Sequence, residues 1–403
     1  MDNPITAIHA KVLQNSRGTT TIAVTVSAGS YTGTFALPDG ASTGSREVHV
    51  KEADEAIEII TEVVAPALIG HDVQDQSGID ARLHELDASE LFESIGGNTA
   101  LGVSVGACKA AASQRGLPTW KYIQTLFTKT PQATAPRLFI NLINGGKHAA
   151  YGSPIQEHQI IPDTDDVALA YETACKVQQS LHTLLITHYG IDKIGKGDEG
   201  GFVIPSTSVF EPFEHLKEAI ALSACAIPVA IGADIAASSF YVNGKYSIEG
   251  DTKDQDALLA FYDELHTRIP SLLMIEDPFF ESDQQSYAVY RKRHPKVLVI
   301  GDDLTTTNAS ALQRAITAKA INGIIIKPNQ IGTVSDTLST MSLAYDNAVS
   351  CIVSHRSGET MDDFIADLAF GTGSYGLKAG APLALEREAK YQRLIHIQKT
   401  YND

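Results

Sequence analysis

The sequence predicts an α/β protein: a (β/α)8 barrel preceded by an α+β domain made of a meander and helices. Three observations lead there. In the second half, five short apolar runs each stop at a charged residue: Val229–Ala233 at Asp234, Leu272–Ile275 at Glu276, Val297–Gly301 at Asp302, Gly323–Ile326 at Lys327 and Cys351–Ser354 at His355. By subtraction, the steps from Glu276 to His355 are 26, 25 and 28 residues, the length of one strand plus one helix. The chain has 403 residues, which accommodates a barrel of roughly 250 and a second domain of roughly 130. Buried parallel strands read as continuous aliphatic runs. Residues at their C-terminal ends build the mouth of such a barrel, so three acids, a lysine and a His-Arg pair are expected around one mouth.

The elements follow in order. Ile22, Val24 and Val26 alternate with Thr21, Ala23 and Thr25, the period of a half-buried strand. Gly29 and Gly33 bracket a turn, and Thr34–Leu37 reads as another strand before Pro38. Ala53, Ala56, Ile57, Ile60 and Val64 form one helical stripe. Thr99–Arg115 reads as a helix stopped by Gly116 and Pro118. Residues 125–136 are the linker candidate, dividing the chain into domains 1–130 and 136–403. Leu138–Ile143 and Ile155–Ile161 read as strands. Asp163-Thr-Asp-Asp opens a long helix that Gly190 closes.

Composition narrows the function. A hydrophobic share of 43% and a charged share of 20% are those of an ordinary globular chain. The net charge of -17 argues against nucleic acid or an anionic membrane as the main partner. It leaves room for a small anionic substrate, because lysines, arginines and metal ions reverse the field inside one pocket. Cys108, Cys175, Cys225 and Cys351 form no C-x-x-C pair and read as reduced thiols. The first residues carry no signal-peptide pattern, and no apolar run approaches a membrane span; the expectation is a cytoplasmic protein.

The chemistry sits at the strand ends. Any one of Asp234, Glu276 and Asp302 could be an N-cap or an ion-pair partner. Three at equivalent places would repel one another without a cation, and oxygen ligands suit Mg2+. Lys327, on the next strand, is a candidate general base if its pKa is lowered near the metal. Glu199 lies in the glycine-rich Lys196-Gly-Asp-Glu-Gly-Gly, where the backbone can approach a ligand. Glu157 ends a strand candidate, and two nearby carboxylates can share a proton. Ser354-His-Arg-Ser-Gly-Glu-Thr offers an arginine fork and hydroxyls for a phosphate or carboxylate. Asn144-Gly-Gly-Lys-His148 and Asp39-Gly-Ala-Ser-Thr-Gly44 are glycine-flanked loops, the second like a lid; Lys378 is the last cation at a strand end. A metal, a lysine base opposite acids, and cations for an anion together suit proton abstraction next to a carboxylate.

Over nearly its whole length the chain resembles the enolase (phosphopyruvate hydratase) family. The matching segments include Ser16-Arg-Gly, Gly40-Ala-Ser-Thr-Gly, Asn144-Gly-Gly-Lys-His-Ala, Gly197-Asp-Glu-Gly-Gly-Phe, Ile275-Glu-Asp-Pro-Phe, Gly301-Asp-Asp-Leu, Ile326-Lys-Pro-Asn-Gln, Ser354-His-Arg-Ser-Gly-Glu-Thr and Lys378-Ala-Gly-Ala-Pro. The resemblance implies an enolase-type barrel with an antiparallel second strand, and a hydro-lyase that interconverts 2-phospho-D-glycerate and phosphoenolpyruvate. It implies that Lys327 takes the C2 proton and that Glu199, supported by Glu157, protonates the leaving hydroxyl. Asp234, Glu276 and Asp302 would hold one Mg2+, and a second would arrive with substrate at the Ser42 loop. Arg356 and Ser357 would grip the phosphate and Lys378 the carboxylate, with His148 and His355 lining the pocket. A homodimer is implied, with octamers known in the family.

The chain departs from the family pattern at Asn15, Thr19, Thr20, Asp39, His158, Pro328 and Ala384, and is trimmed after Val50 and Ile248. Proline at 328 biases Lys327 toward extended backbone, which a strand end accepts. Two other functions compete with an active enolase: a related enzyme abstracting the proton next to another carboxylate, and a non-catalytic binding protein. The filled site positions and the phosphate grip argue against both.

Overall fold

The aliphatic alternation at 20–26 becomes the central strand of a small antiparallel sheet. In the computed structural model, which describes residues 3–40, 46–129 and 134–402, β1 (Ala7–Gln14), β2 (Thr20–Ala28) and β3 (Tyr31–Ala36) lie in the order β1-β2-β3. Ile22, Val24 and Val26 are fully buried, as predicted. The sequence reading did not identify β1, because only Ile8 of its residues is buried and Val12 is 44% exposed. A helix, Gly97–Gln114, covers the sheet. The stripe from Ala53 runs on to Leu68, but through a π-helical turn at Ile60–Val64. Pro66 follows that turn; it has no N–H, and its ring crowds the carbonyl four residues back, which favours a wider turn there. The helix Thr119–Leu126 reaches into the segment expected to be linker.

The barrel consists of eight strands: β4 (Arg137–Asn144), β5 (Glu157–Pro162), β8 (Val229–Asp234), β12 (Leu272–Glu276), β13 (Leu298–Gly301), β14 (Gly323–Ile326), β15 (Ser350–Ser354) and β16 (Gly376–Lys378). They pair in that order, and β16 closes on β4. All neighbours are parallel except β5, which runs antiparallel to both β4 and β8. Two short strands, β6 (Gly195–Lys196) and β7 (Phe202–Val203), pair with each other, and β7 pairs with β4, so the loop between them is anchored beside the barrel. A separate hairpin sheet, β9 (Tyr241–Val242), β10 (Lys245–Ile248) and β11 (Asp251–Lys253), packs outside. The long helix Val167–Tyr189 is capped by the Asp166 side chain and stopped by Gly190. No helix among the described residues is long and apolar enough to cross a membrane.

Phe139, Ile161, Met274, Ile300, Ile325 and Ile352 form one buried cluster, drawn from six different barrel strands. This is the barrel's interior floor. The first domain closes over the mouth above it. Asp39 and Gly358 exchange backbone hydrogen bonds of 2.7 and 2.8 Å, and Ser16 N–H donates to the Glu359 carbonyl at 2.7 Å. The Lys109 ammonium is 2.7 Å from Asp362.

Candidate active site

Strand alternation builds the site directly on that floor. Side chains two residues apart point the same way, so the residue two beyond each floor position also faces inward, one layer nearer the mouth. Phe139 is followed by Asn141, Met274 by Glu276, Ile300 by Asp302, Ile325 by Lys327 and Ile352 by Ser354. On β8 and β16 a glycine occupies the floor position. A Cβ on Gly232 would lie 2.8 Å from Met274, and one on Gly376 would lie 2.3 Å from Phe139. Two residues beyond them stand Asp234 and Lys378. Reversed β5 reaches the mouth with its first residue, Glu157, which is paired in register with Asp234 and Asn144. Glu157 thus begins its strand, where the sequence reading had an acid at a strand end; the antiparallel direction is what brings it to the mouth.

His148, Glu157, Glu199, Asp234, Asp302 and Lys327 line one cavity, together with His355, Arg356, Ser357 and Lys378. Glu276 is fully buried beneath it. Ser42 lies outside the described residues. Lys327, at the end of β14, stands four strands from β5 in the eight-strand cycle, and is therefore across the mouth from Glu157. Its backbone is extended (φ -124°, ψ 99°), as Pro328 requires.

The charges are tightly paired. The Lys378 ammonium is 2.7 Å from Glu276, 3.1 Å from Glu157 and 3.4 Å from Asp234. The Lys327 ammonium contacts Asp302 closely. Burial pulls the Lys327 pKa down, but the Asp302 carboxylate outweighs it and the net shift is upward. The sequence reading expected a lowered value; contact with an ionised acid is the reason for the difference. Burial pushes Glu276 well up, reinforced by Asp234 and opposed by Lys378. Asp302 is held down because Lys327 outweighs its burial.

Glu199 sits at the tip of the β6–β7 loop. Asn141 Nδ2 donates to its Oε2 at 2.9 Å. His355 Nε2 and His148 Nδ1 lie 3.3 and 3.5 Å from its Oε1. Burial pushes both Glu199 and Glu157 up. At Glu199 the imidazoles outweigh burial and hold it well below the usual range. At Glu157 the charge of Glu199 adds to burial, so it is raised well above. Of the two, Glu157 has the higher proton affinity.

Arg356 donates from Nη1 to Glu47 at 2.8 Å and to Asn329 Oδ1 at 3.0 Å. A Cβ on Gly40 would lie 1.9 Å from Arg356 Nη2, so only glycine lets the first domain approach this guanidinium.

A divalent cation fits the acids. Glu276 Oε1 is buried with no hydrogen-bond partner, and it belongs to a group of carboxylates that raise one another's proton affinity. A hard cation with oxygen ligands would satisfy that atom and remove the repulsion. Asp277, Asp302 and Asp303 also offer oxygens within 4.8 Å of one another.

Several site residues were not singled out from the sequence. Asp277 adopts φ 41° and accepts from Tyr287 Oη at 2.8 Å, Asp302 N–H at 3.1 Å and Asp303 N–H at 2.7 Å. Gln330 is the exception, since Asn329-Gln330, directly after Lys327, read from the sequence as amides that could reach the site; its Nε2 donates to Asp302 Oδ1 at 3.0 Å. Thr307 Oγ1 accepts the Lys327 N–H at 2.9 Å. Arg387 is fully buried and donates from Nη1 to His355 Nδ1 at 2.5 Å. Its face of the helix Leu385–Asn402 also carries Lys390, Tyr391, Leu394 and Ile397, all buried. Two cations on an otherwise apolar stripe were the available signal.

Comparison with known proteins agrees with this geometry. The enolase N-terminal domain matches residues 5–123, and the enolase C-terminal TIM barrel domain matches residues 132–403. The chain is 35% identical to an enolase of Methanothrix thermoacetophila, over 99% of this chain and 96% of that protein. It is 39% identical to an enolase of Metallosphaera sedula, over 96% and 94%, and 37% identical to one of Thermococcus gammatolerans, over 99% and 96%. With its barrel closed through an antiparallel second strand and both domains matched, the chain belongs to the enolase family.

Proposed function

We propose that the chain catalyses the reversible, Mg2+-dependent dehydration of 2-phospho-D-glycerate to phosphoenolpyruvate, a step of glycolysis and gluconeogenesis. Lys327 takes the C2 proton. Glu199 protonates the leaving C3 hydroxyl with the proton it shares with Glu157, and in the reverse direction, ionised, it activates water. Arg356 and Ser357 grip the phosphate, Lys378 the carboxylate, and His148 and His355 line the pocket. Asp234, Glu276 and Asp302 would hold one Mg2+, and Ser42 with the substrate phosphate a second. When bound, the cation neutralises the carboxylates, including the Asp302 charge that holds the Lys327 proton, and stabilises the enediolate.

The observation that carries this reading is the arrangement of Lys327 across the mouth from two buried carboxylates, Glu157 and Glu199, which approach the same His148 nitrogen at 3.6 and 3.5 Å. We also propose a cytoplasmic homodimer, with domains at 1–130 and 136–403. The test of the reaction is ultraviolet absorbance of the purified protein with 2-phosphoglycerate, because the product has a conjugated double bond and the substrate has none. A Mg2+-dependent rise abolished by EDTA is expected. Folded, metal-loaded protein that gives no rise, yet turns over another hydroxy acid, would overturn it.

A further inference from the structure

We infer that Arg387 is a positioning residue: it fixes His355 in the Nε2–H tautomer, so that the ring nitrogen nearest Glu199 carries a hydrogen and the ring stays neutral. The inference deepens the proposed function and rests on it for the role of Glu199. A guanidinium has donors only. Its Nη1, 2.5 Å from His355 Nδ1, therefore requires the lone pair on that nitrogen. A neutral imidazole carries one N–H, so the hydrogen is on Nε2, which is buried 3.3 Å from Glu199 Oε1, its nearest acceptor, without forming an aligned hydrogen bond to it. An imidazolium would set two donors face to face across the Arg387 contact. Burial also drives the His355 pKa down to about 4, with Glu199 opposing and Arg387 reinforcing the shift. Glu359 is the other charged group acting on the ring.

Arg387 itself is immobilised. It donates to the carbonyls of Arg356 at 2.5 Å, Ser357 at 2.6 Å and Asp198 at 3.0 Å. The last belongs to the residue before Glu199, so one side chain ties the acid's loop to the phosphate loop. Gly380 leaves room for this arrangement: at φ +80°, a Cβ there would lie 3.0 Å from His355 Cε1 and 3.1 Å from Arg387 Cδ. The consequence is chemical. His355 cannot become a proton carrier, which leaves Glu157, His148 and substrate as the partners with which Glu199 can exchange its proton.

The test uses full-length protein labelled with 15N-histidine and read by 1H–15N correlation between about pH 5.5 and 8, a range that brackets an ordinary histidine. His355 should show a protonated Nε2 and an unprotonated Nδ1 throughout. Arg387→Gln should let His355 titrate within that range or populate the other tautomer. The variant should lose about tenfold to a hundredfold in kcat with KM changed less than about threefold, and Arg387→Lys should recover part of the loss. In a His355→Gln background, whose amide is an uncharged donor, adding Arg387→Gln should cost less than about threefold. An Nδ1–H in the wild-type spectrum, or an undiminished cost in that background, would overturn the inference. Should Arg387→Gln not fold, His355 variants decide: Gln retaining at least about tenfold more kcat than Leu supports it, and equal losses overturn it. Wild type inactive toward 2-phosphoglycerate but showing the expected tautomer would count against the reaction and leave the positioning intact.

Discussion

At the scale of single residues, the two proton-handling roles separate experimentally. Lys327→Ala should abolish both exchange of the C2 proton with solvent and dehydration, while Glu199→Gln should keep exchange and lose dehydration by about a hundredfold or more. Isotope exchange monitored beside the absorbance assay checks both, and normal dehydration by Glu199→Gln would remove it as the acid. Glu276 illustrates a site residue that works against the fold. Its folded pKa is raised, so its contribution to stability is full below its unfolded value and is lost as pH rises through the folded one. An amide never ionises. Glu276→Gln should therefore raise the melting temperature in EDTA at neutral pH, by about 1 kcal/mol of stability, while activity with Mg2+ disappears. A lower melting temperature would mean that the lost Lys378 contact dominates. Glu276 and Lys327 were legible because each ends an apolar run in the sequence. Arg387 was not read, because Glu386-Arg-Glu looks like a solvated helix start, and the apolar stripe of Tyr391, Leu394 and Ile397 that places it on the buried face lies further along the helix.

At the scale of elements, the strand ends do more than present side chains. Asp277 follows β12 in the left-handed region, uncommon for a residue with a Cβ, and two consecutive threonines, Thr306 and Thr307, do the same after β13 at φ 45° and 52°. Such strain persists where the surroundings over-determine it. The Asp277 carboxylate receives the Asp302 and Asp303 N–H groups, so the end of one strand sets the direction of the acid on the next. Asp277→Ala should raise the Mg2+ concentration for half-maximal activity by about tenfold to a hundredfold, measured by titrating Mg2+ at saturating substrate. An unchanged midpoint would make the contact structural only. The parallel strands were visible from their apolar runs. The hairpin β6–β7 was not, because two-residue strands have no period to detect, and its Gly197–Gly201 tip reads as a turn. β1 was missed for a related reason: one buried residue cannot produce an alternation.

At the scale of the whole molecule, acid sensitivity follows from histidines buried in their neutral form. His158 stands where the family resemblance implies an aromatic residue, and the structure gives it an aromatic's surroundings. Its ring packs edge-on to Phe213 with centroids 4.6 Å apart, Nδ1 meets the Ile143 carbonyl at 3.1 Å, and Nε2 is buried with no hydrogen-bond partner. Burial drives its pKa down to about 4. The unfolded chain therefore binds a proton near pH 6.5 that the folded chain refuses until about pH 4. Stability falls as pH drops through that window, and the group contributes nothing above it. Carboxyls with raised folded values push the other way, so the total slope is a competition, but a substitution at 158 isolates one participant. His158→Phe keeps the ring, removes the orphaned nitrogen and cannot titrate. Relative to wild type it should gain about 2 kcal/mol between pH 7.5 and pH 5, read from chemical denaturation midpoints at the two values. A gap between the proteins that stays constant with pH would show that His158 titrates alike in the folded and unfolded chains, and would move the acid sensitivity to the mouth of the barrel.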